Sequence, residues 1–164
     1  NCMALGMQVI AAAREIKDGA NLNKALQAAQ YVRDRVRFYF VPETLEYLKK
    51  GGRIGTASAL LGTILNIRPI LTVDMKTGMT HLLTKTRGTS AAINRMLEIM
   101  EEDRNKYGLK EILIHHINAP EKANMLRNLL MERYGMPVDI CSIGPVIGLH
   151  TGLGTVGFVY YTEK

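Results

Sequence analysis

PILTVDMKTGMTHLLTKT, residues 69–86, is the stretch whose reading decides the fold. Residues 69–74 are apolar and rich in branched side chains, and they read as a strand. Lys76-Thr77-Gly78 reads as a tight turn, and residues 80–86 as the returning strand. Two strands joined so closely must run antiparallel, which rules out an all-parallel sheet.

Upstream of this hairpin, residues 56–66 combine strong helix formers with no charge and predict an apolar helix. Residues 43–50 predict a short helix with basic residues in its last turn, released by Gly51-Gly52. Residues 36–41 are aromatic and β-branched and read as a strand closed by Pro42. Two helices precede it. In residues 2–17, Met3, Met7, Ile10 and Ala13 share a face. In residues 22–36, Leu22, Leu26, Ala29 and Val36 are expected to face inward.

Downstream, residues 90–107 form an amphipathic pattern with a stripe of Ile93, Met96, Leu97 and Met100. Residues 111–116 read as a strand. A helix begins around Asn118-Ala-Pro-Glu and ends at Gly135. Residues 138–142 and 158–161 read as further strands, with an irregular, glycine-rich connection over 144–157. The expected class is α/β of the layered α+β kind: a mixed, mostly antiparallel sheet of about six strands packed against helices.

The 164 residues carry 47% hydrophobic and 22% charged side chains, an ordinary globular composition. The longest notable uncharged run is 55–67, shorter than the roughly 20 residues a spanning helix needs. The formal net charge of +6 invites nucleic acid as a partner. The charges are scattered, however, and no basic block is interleaved with aromatic residues, so a basic nucleic-acid-binding or regulatory domain stands only as the alternative. Cys2 and Cys141 fit no metal spacing, and the usage suits a reducing cytoplasm. His115 and His116 adjoin on one strand and point to opposite faces, so they cannot share a metal ion. No dinucleotide fingerprint or P-loop is present. No metal site or cofactor is expected. The chain begins with Asn1 and enters a helical pattern at once, which predicts a missing upstream domain. Residues 1–36 are then a helical pair continuing from it, and 37–164 a carboxy-terminal domain.

Three segments carry polar groups in unusual settings. The first is LEYLKKGGRIG, residues 45–55, where Arg53 follows two glycines on a turn. It suits a charge-assisted bond to an oxyanion, or equally a helix C-cap followed by a surface arginine. The second is TASALLGTILN, residues 56–66, which reads as plain core or as the lining of a greasy cavity. The third is GPVIGLHTGLG, residues 144–154, with His150-Thr151 set between Gly148 and Gly152. It offers an imidazole and a hydroxyl to a carboxylate, or forms a structural turn.

In this order, the three segments resemble the DegV family, and CMALG…AAREIKDG at the start is similar to helices that follow that family's amino-terminal domain. Leu153 departs from the proline often found there. The resemblance implies a two-domain bacterial protein that binds one long-chain fatty acid in an apolar tunnel between the domains. It also implies a non-catalytic subunit, whose bound carboxylate is phosphorylated by a separate ATP-binding fatty acid kinase subunit. On the positions that match, it assigns Arg53, His150, Thr151 and Gly152 to the head group and Leu60, Leu61, Ile64 and Leu65 to the tunnel wall. Arg87, with Lys85 near it, is a possible contact for the partner. A stand-alone hydrolase using His150 is disfavoured because no Ser or Cys nucleophile sits in a recognisable elbow.

Overall fold

The computed structural model describes residues 2–62, 66–74 and 76–164. Its centre is a six-stranded sheet: β1 (Val36–Val41), β2 (Ile67–Val73), β3 (Thr80–Arg87), β4 (Glu111–His116), β5 (Val138–Ser142) and β6 (Val156–Tyr161). The spatial order is β3-β2-β1-β6-β4-β5. Every neighbouring pair is antiparallel except β4 and β5. That parallel pair needs a crossover, supplied by the helix between the two strands.

The 69–86 hairpin forms as β2 and β3. Asp74 holds its turn by accepting from the backbone N–H groups of Lys76 and Thr77 at 2.8 and 2.9 Å.

Six helices cover both faces: α1 (Cys2–Lys17), α2 (Leu22–Arg35), α3 (Glu46–Lys50), α4 (Thr89–Tyr107), α5 (Pro120–Tyr134) and α6 (Pro145–Thr151). α4 and α5 pack on one face against Tyr39, Ile70, Ile112, Ile114, Phe158 and Tyr160. α1, α2 and α3 pack on the other, over Phe38, Phe40, Leu71, Leu113 and Val159. Alternation along each strand sends successive side chains to these two layers. His115 and His116 diverge in this way. His116 Nδ1 accepts from the N–H of Ala119 at the start of α5.

Several expectations need correction. α2 buries Ala25 and Val32, whereas Leu22 and Leu26 are 78% and 53% exposed. Small alanine lets α2 approach α1 closely, so the contact follows the alanine stripe rather than the leucines. On α1 the buried pair is Ala4 and Met7, and Ala13 is exposed. Residues 55–60 form a 3-10 helix, Gly55–Leu60, instead of the start of an α-helix. Of the rest of the expected helix, Leu61 is extended and residues 63–65, which include Ile64 and Leu65, lie outside the described residues. The connection before β6 is not irregular throughout, because it contains α6. Pro145 opens that helix with its φ already set, and Gly152 closes it at φ 83°.

Candidate functional site

α3 and α6 meet above the sheet face that carries α1. Two close approaches lock them together. A methyl group at Gly51, just after α3, would overlap Nδ1 of His150 on α6. A methyl at Gly152, just after α6, would stand 2.5 Å from Cδ2 of the Tyr47 ring on α3. Only glycine lets the two short helices come so near, and this packing aims the imidazole. His150 Nδ1 is buried without a hydrogen-bond partner among the described residues.

Below these helices lies a hollow of ≈ 260 Å³. Arg53, His150 and Thr151 line it, together with Phe38, Phe40, Leu48, Val73, Val146 and Ile147. Cys2, Gly78 and Thr80 complete the lining. Polar residues from two segments far apart in sequence, Arg53 and the neighbours His150 and Thr151, therefore line one hollow with aromatic and aliphatic side chains. Arg53 is exposed, and its backbone N–H donates to the carbonyl of Leu48 at 2.8 Å, but its guanidinium makes no ion pair or hydrogen bond with another described residue. Thr151 is buried, and its hydroxyl donates to the carbonyl of Ile147 at 3.3 Å. The backbone around it is pinned by Thr155, whose hydroxyl reaches the carbonyls of Thr151 and Gly152 at 2.9 and 3.0 Å. Burial pushes the Cys2 thiol up, so it is a neutral part of the wall.

The other expected site residues fall elsewhere. Gly152 does not line this hollow, and the ring of Tyr47 packs against it. Leu60 and Leu61 line a separate hollow of ≈ 430 Å³, beside Glu43, Glu46 and Lys49. Arg87 is exposed at the end of the edge strand β3 and does not line the hollow.

Sequence reasoning missed the apolar wall. Its signal was present in VRFYFV, residues 36–41, where Phe38 and Phe40 alternate onto one face. A second hollow of ≈ 290 Å³ lies along the same strand, lined by Ala4, Gln8, Val36, Phe38, Thr72 and Val73 among others. Next to Phe38 stands His115, whose ring is 4.9 Å away, centroid to centroid. Burial, with His116 as a lesser cause, pushes His115 down to about 3, so the ring is neutral. Neither of its nitrogens has a partner.

A guanidinium, an imidazole and a hydroxyl lining a largely apolar hollow have the chemistry to meet an acidic head beside a hydrocarbon. The guanidinium can supply charge-assisted hydrogen bonds, and the aromatic wall can bury a hydrocarbon.

Comparison with known proteins points the same way. A DegV domain-containing protein from Clostridium acetobutylicum is 45% identical over 164 residues, covering all of this chain and 57% of its own length. A fatty-acid-binding DegV family protein from Thermus thermophilus superimposes with a TM-score of 0.83 at 33% identity, over 98% of this chain and 57% of that one. DegV from Bacillus subtilis, described as a fatty acid binding protein, gives a TM-score of 0.78 at 30% identity, over 99% and 57%. The chain thus spans little more than half the length of the relatives it matches. The model of the DegV family matches residues 1–163, which places the chain in that family: this is a DegV family protein.

Proposed function

We propose that this chain forms one wall of a site for a long-chain fatty acid, with the carboxylate held by Arg53, His150 and Thr151. The observation that carries the reading is the convergence of these three residues on a hollow lined mainly by apolar side chains. The solved relatives from Thermus thermophilus and Bacillus subtilis, both described as binding fatty acid, support it.

The energetics fit. Burying the tail of a sixteen-carbon acid at ~0.8 kcal/mol per methylene gives a gross drive of roughly 10 kcal/mol. An unpaired buried carboxylate would cancel much of that, so the head needs fixed donors. The hollow of ≈ 260 Å³ falls below the roughly 300–1,000 Å³ of closed small-ligand sites. It takes the head and the first part of the tail, and the remainder must continue along the sheet or under a second domain. We place the complete tunnel between this domain and an amino-terminal one.

In this reading the protein performs no chemistry alone. It presents the carboxylate to a separate ATP-binding kinase subunit, and Arg87 with Lys85 offers a basic contact to an acidic surface on that partner. Arg53 and His150 would also stabilise the negative charge of an acyl phosphate. A cytoplasmic location follows from the same reading.

The test is mass spectrometry of the full-length protein purified from bacteria, compared with Arg53→Ala. The expected result is a bound long-chain acid in the first and its loss, or at least tenfold weaker binding, in the second. An empty native protein that also fails to take up palmitate would sink the proposal.

A further inference from the structure

The two hollows on this face share a wall. Phe38 and Val73 line both the hollow of ≈ 260 Å³ that holds the polar cluster and the hollow of ≈ 290 Å³ beyond it. Phe38 and Val73 sit on β1 and β2, neighbours in the sheet, and α1 spans the same two spaces, with Cys2 over the first and Ala4 and Gln8 over the second. A chain leaving Arg53 and His150 along the sheet therefore meets the Phe38 ring before it can enter the second space.

The setting of that ring is unusual. It packs on Phe40 at 5.4 Å and on His115 at 4.9 Å, the two planes tilted by 39° and 37°. His115 is 3% exposed, and both of its nitrogens are without a partner. A histidine so placed contributes no hydrogen bond to the fold, and an aliphatic residue would be buried at less cost. What it does supply is a flat ring against Phe38. Room for that ring exists because Gly157 faces it across β4 and β6, where a methyl would stand 2.6 Å from Nε2.

We infer that Phe38 is the residue that sets which acyl chains this site accepts, by partitioning the two hollows, and that His115 is the positioning residue that holds its ring. The inference rests on the fatty-acid reading above and goes further, in naming where discrimination of the tail is built. Long chains must thread past Phe38, whereas short ones stay in the first hollow.

The test uses the full-length protein and two probes, octanoate and palmitate, with dissociation constants measured by titration. Phe38→Trp thickens the partition and should weaken palmitate about tenfold while octanoate changes less than about twofold. Phe38→Leu keeps an apolar wall and should shift the palmitate-to-octanoate ratio the other way, by about threefold or more. His115→Ala should move the ratio as Phe38→Leu does, and His115→Phe, which restores a flat ring, should return it to the native value. Octanoate binding reports that each variant has folded.

Ratios within twofold of native in both Phe38 variants would overturn the inference. So would equal losses of both acids. Arg53→Ala separates this from the underlying reading, since it should weaken both probes together. A native protein that binds neither acid removes the fatty-acid reading and this inference with it, whereas one that binds both with an unchanged ratio in the variants removes only the inference.

Discussion

The two faces of the sheet are built on different terms. On the α4 and α5 face, Met96, Met100, Leu130, Phe158 and Tyr160 are fully buried, and their ring and methyl contacts leave a dense layer. On this side Tyr160 donates to Asp103 at 2.7 Å, and Arg37 stands 3.6 Å from the same carboxylate. On the α1, α3 and α6 face, side chains are arranged around hollows, and His115 and His150 carry orphaned nitrogens. A tightly filled layer holds the sheet, and a loosely filled one leaves space for a guest. On the proposed reading, stability and binding fall on opposite sides of the same six strands.

That contrast can be broken by substitution. The largest effect is expected on the packed face. Phe158→Ala should cost about 3–5 kcal/mol, because the surrounding layer cannot collapse into the space, and urea unfolding would register it as a lower midpoint. A loss below about 1 kcal/mol would mean that this layer is no denser than the other.

The second effect is on pH dependence. His115 is held neutral in the fold, with its pKa down at about 3 against 6.5 unfolded. The unfolded chain therefore binds the proton first. Stability is complete above pH 6.5 and falls as the pH drops toward 3, by up to about 1.4 kcal/mol per unit. His115→Leu should flatten this slope and raise stability at neutral pH by about 1 kcal/mol, as judged by denaturation at several pH values. An unaltered slope would contradict the burial of a neutral ring.

A third effect sharpens the division of labour. Gly51→Ala lies at ordinary backbone angles, φ −79° and ψ 0°, so its methyl disturbs the neighbour and not the chain. By displacing His150 it should weaken palmitate about tenfold in the full-length protein, at an unfolding cost of about 1–3 kcal/mol, smaller than that of Phe158→Ala. The smallest effect is at the rim: Leu149→Ser, at a position 73% exposed, should alter stability by less than about 0.5 kcal/mol.

Local signals in the chain were enough for much of this architecture. The alternation of 69–86 and its Asp-to-Gly turn specify a hairpin. The glycine after Tyr134 specifies the end of α5, and adopts the left-handed conformation that an L side chain resists. The strand at 111–116 was likewise legible, and Arg53, His150 and Thr151 stood out as candidates because glycines lie beside them.

Other features were decided by contacts between distant segments. Which face of α2 is buried depends on how closely α1 can approach, and alanine permits what leucine does not. Residues 145–151 become helical as α6 packs on α3, with close approaches at Gly51 and Gly152. The apolar wall of the site comes from β1, β2 and α1, whose side chains meet only after the sheet is assembled. Backbone preference acts over a few residues and is written in order along the chain. A cavity is a shared absence of atoms among segments far apart, so only the folded arrangement sets its position and shape.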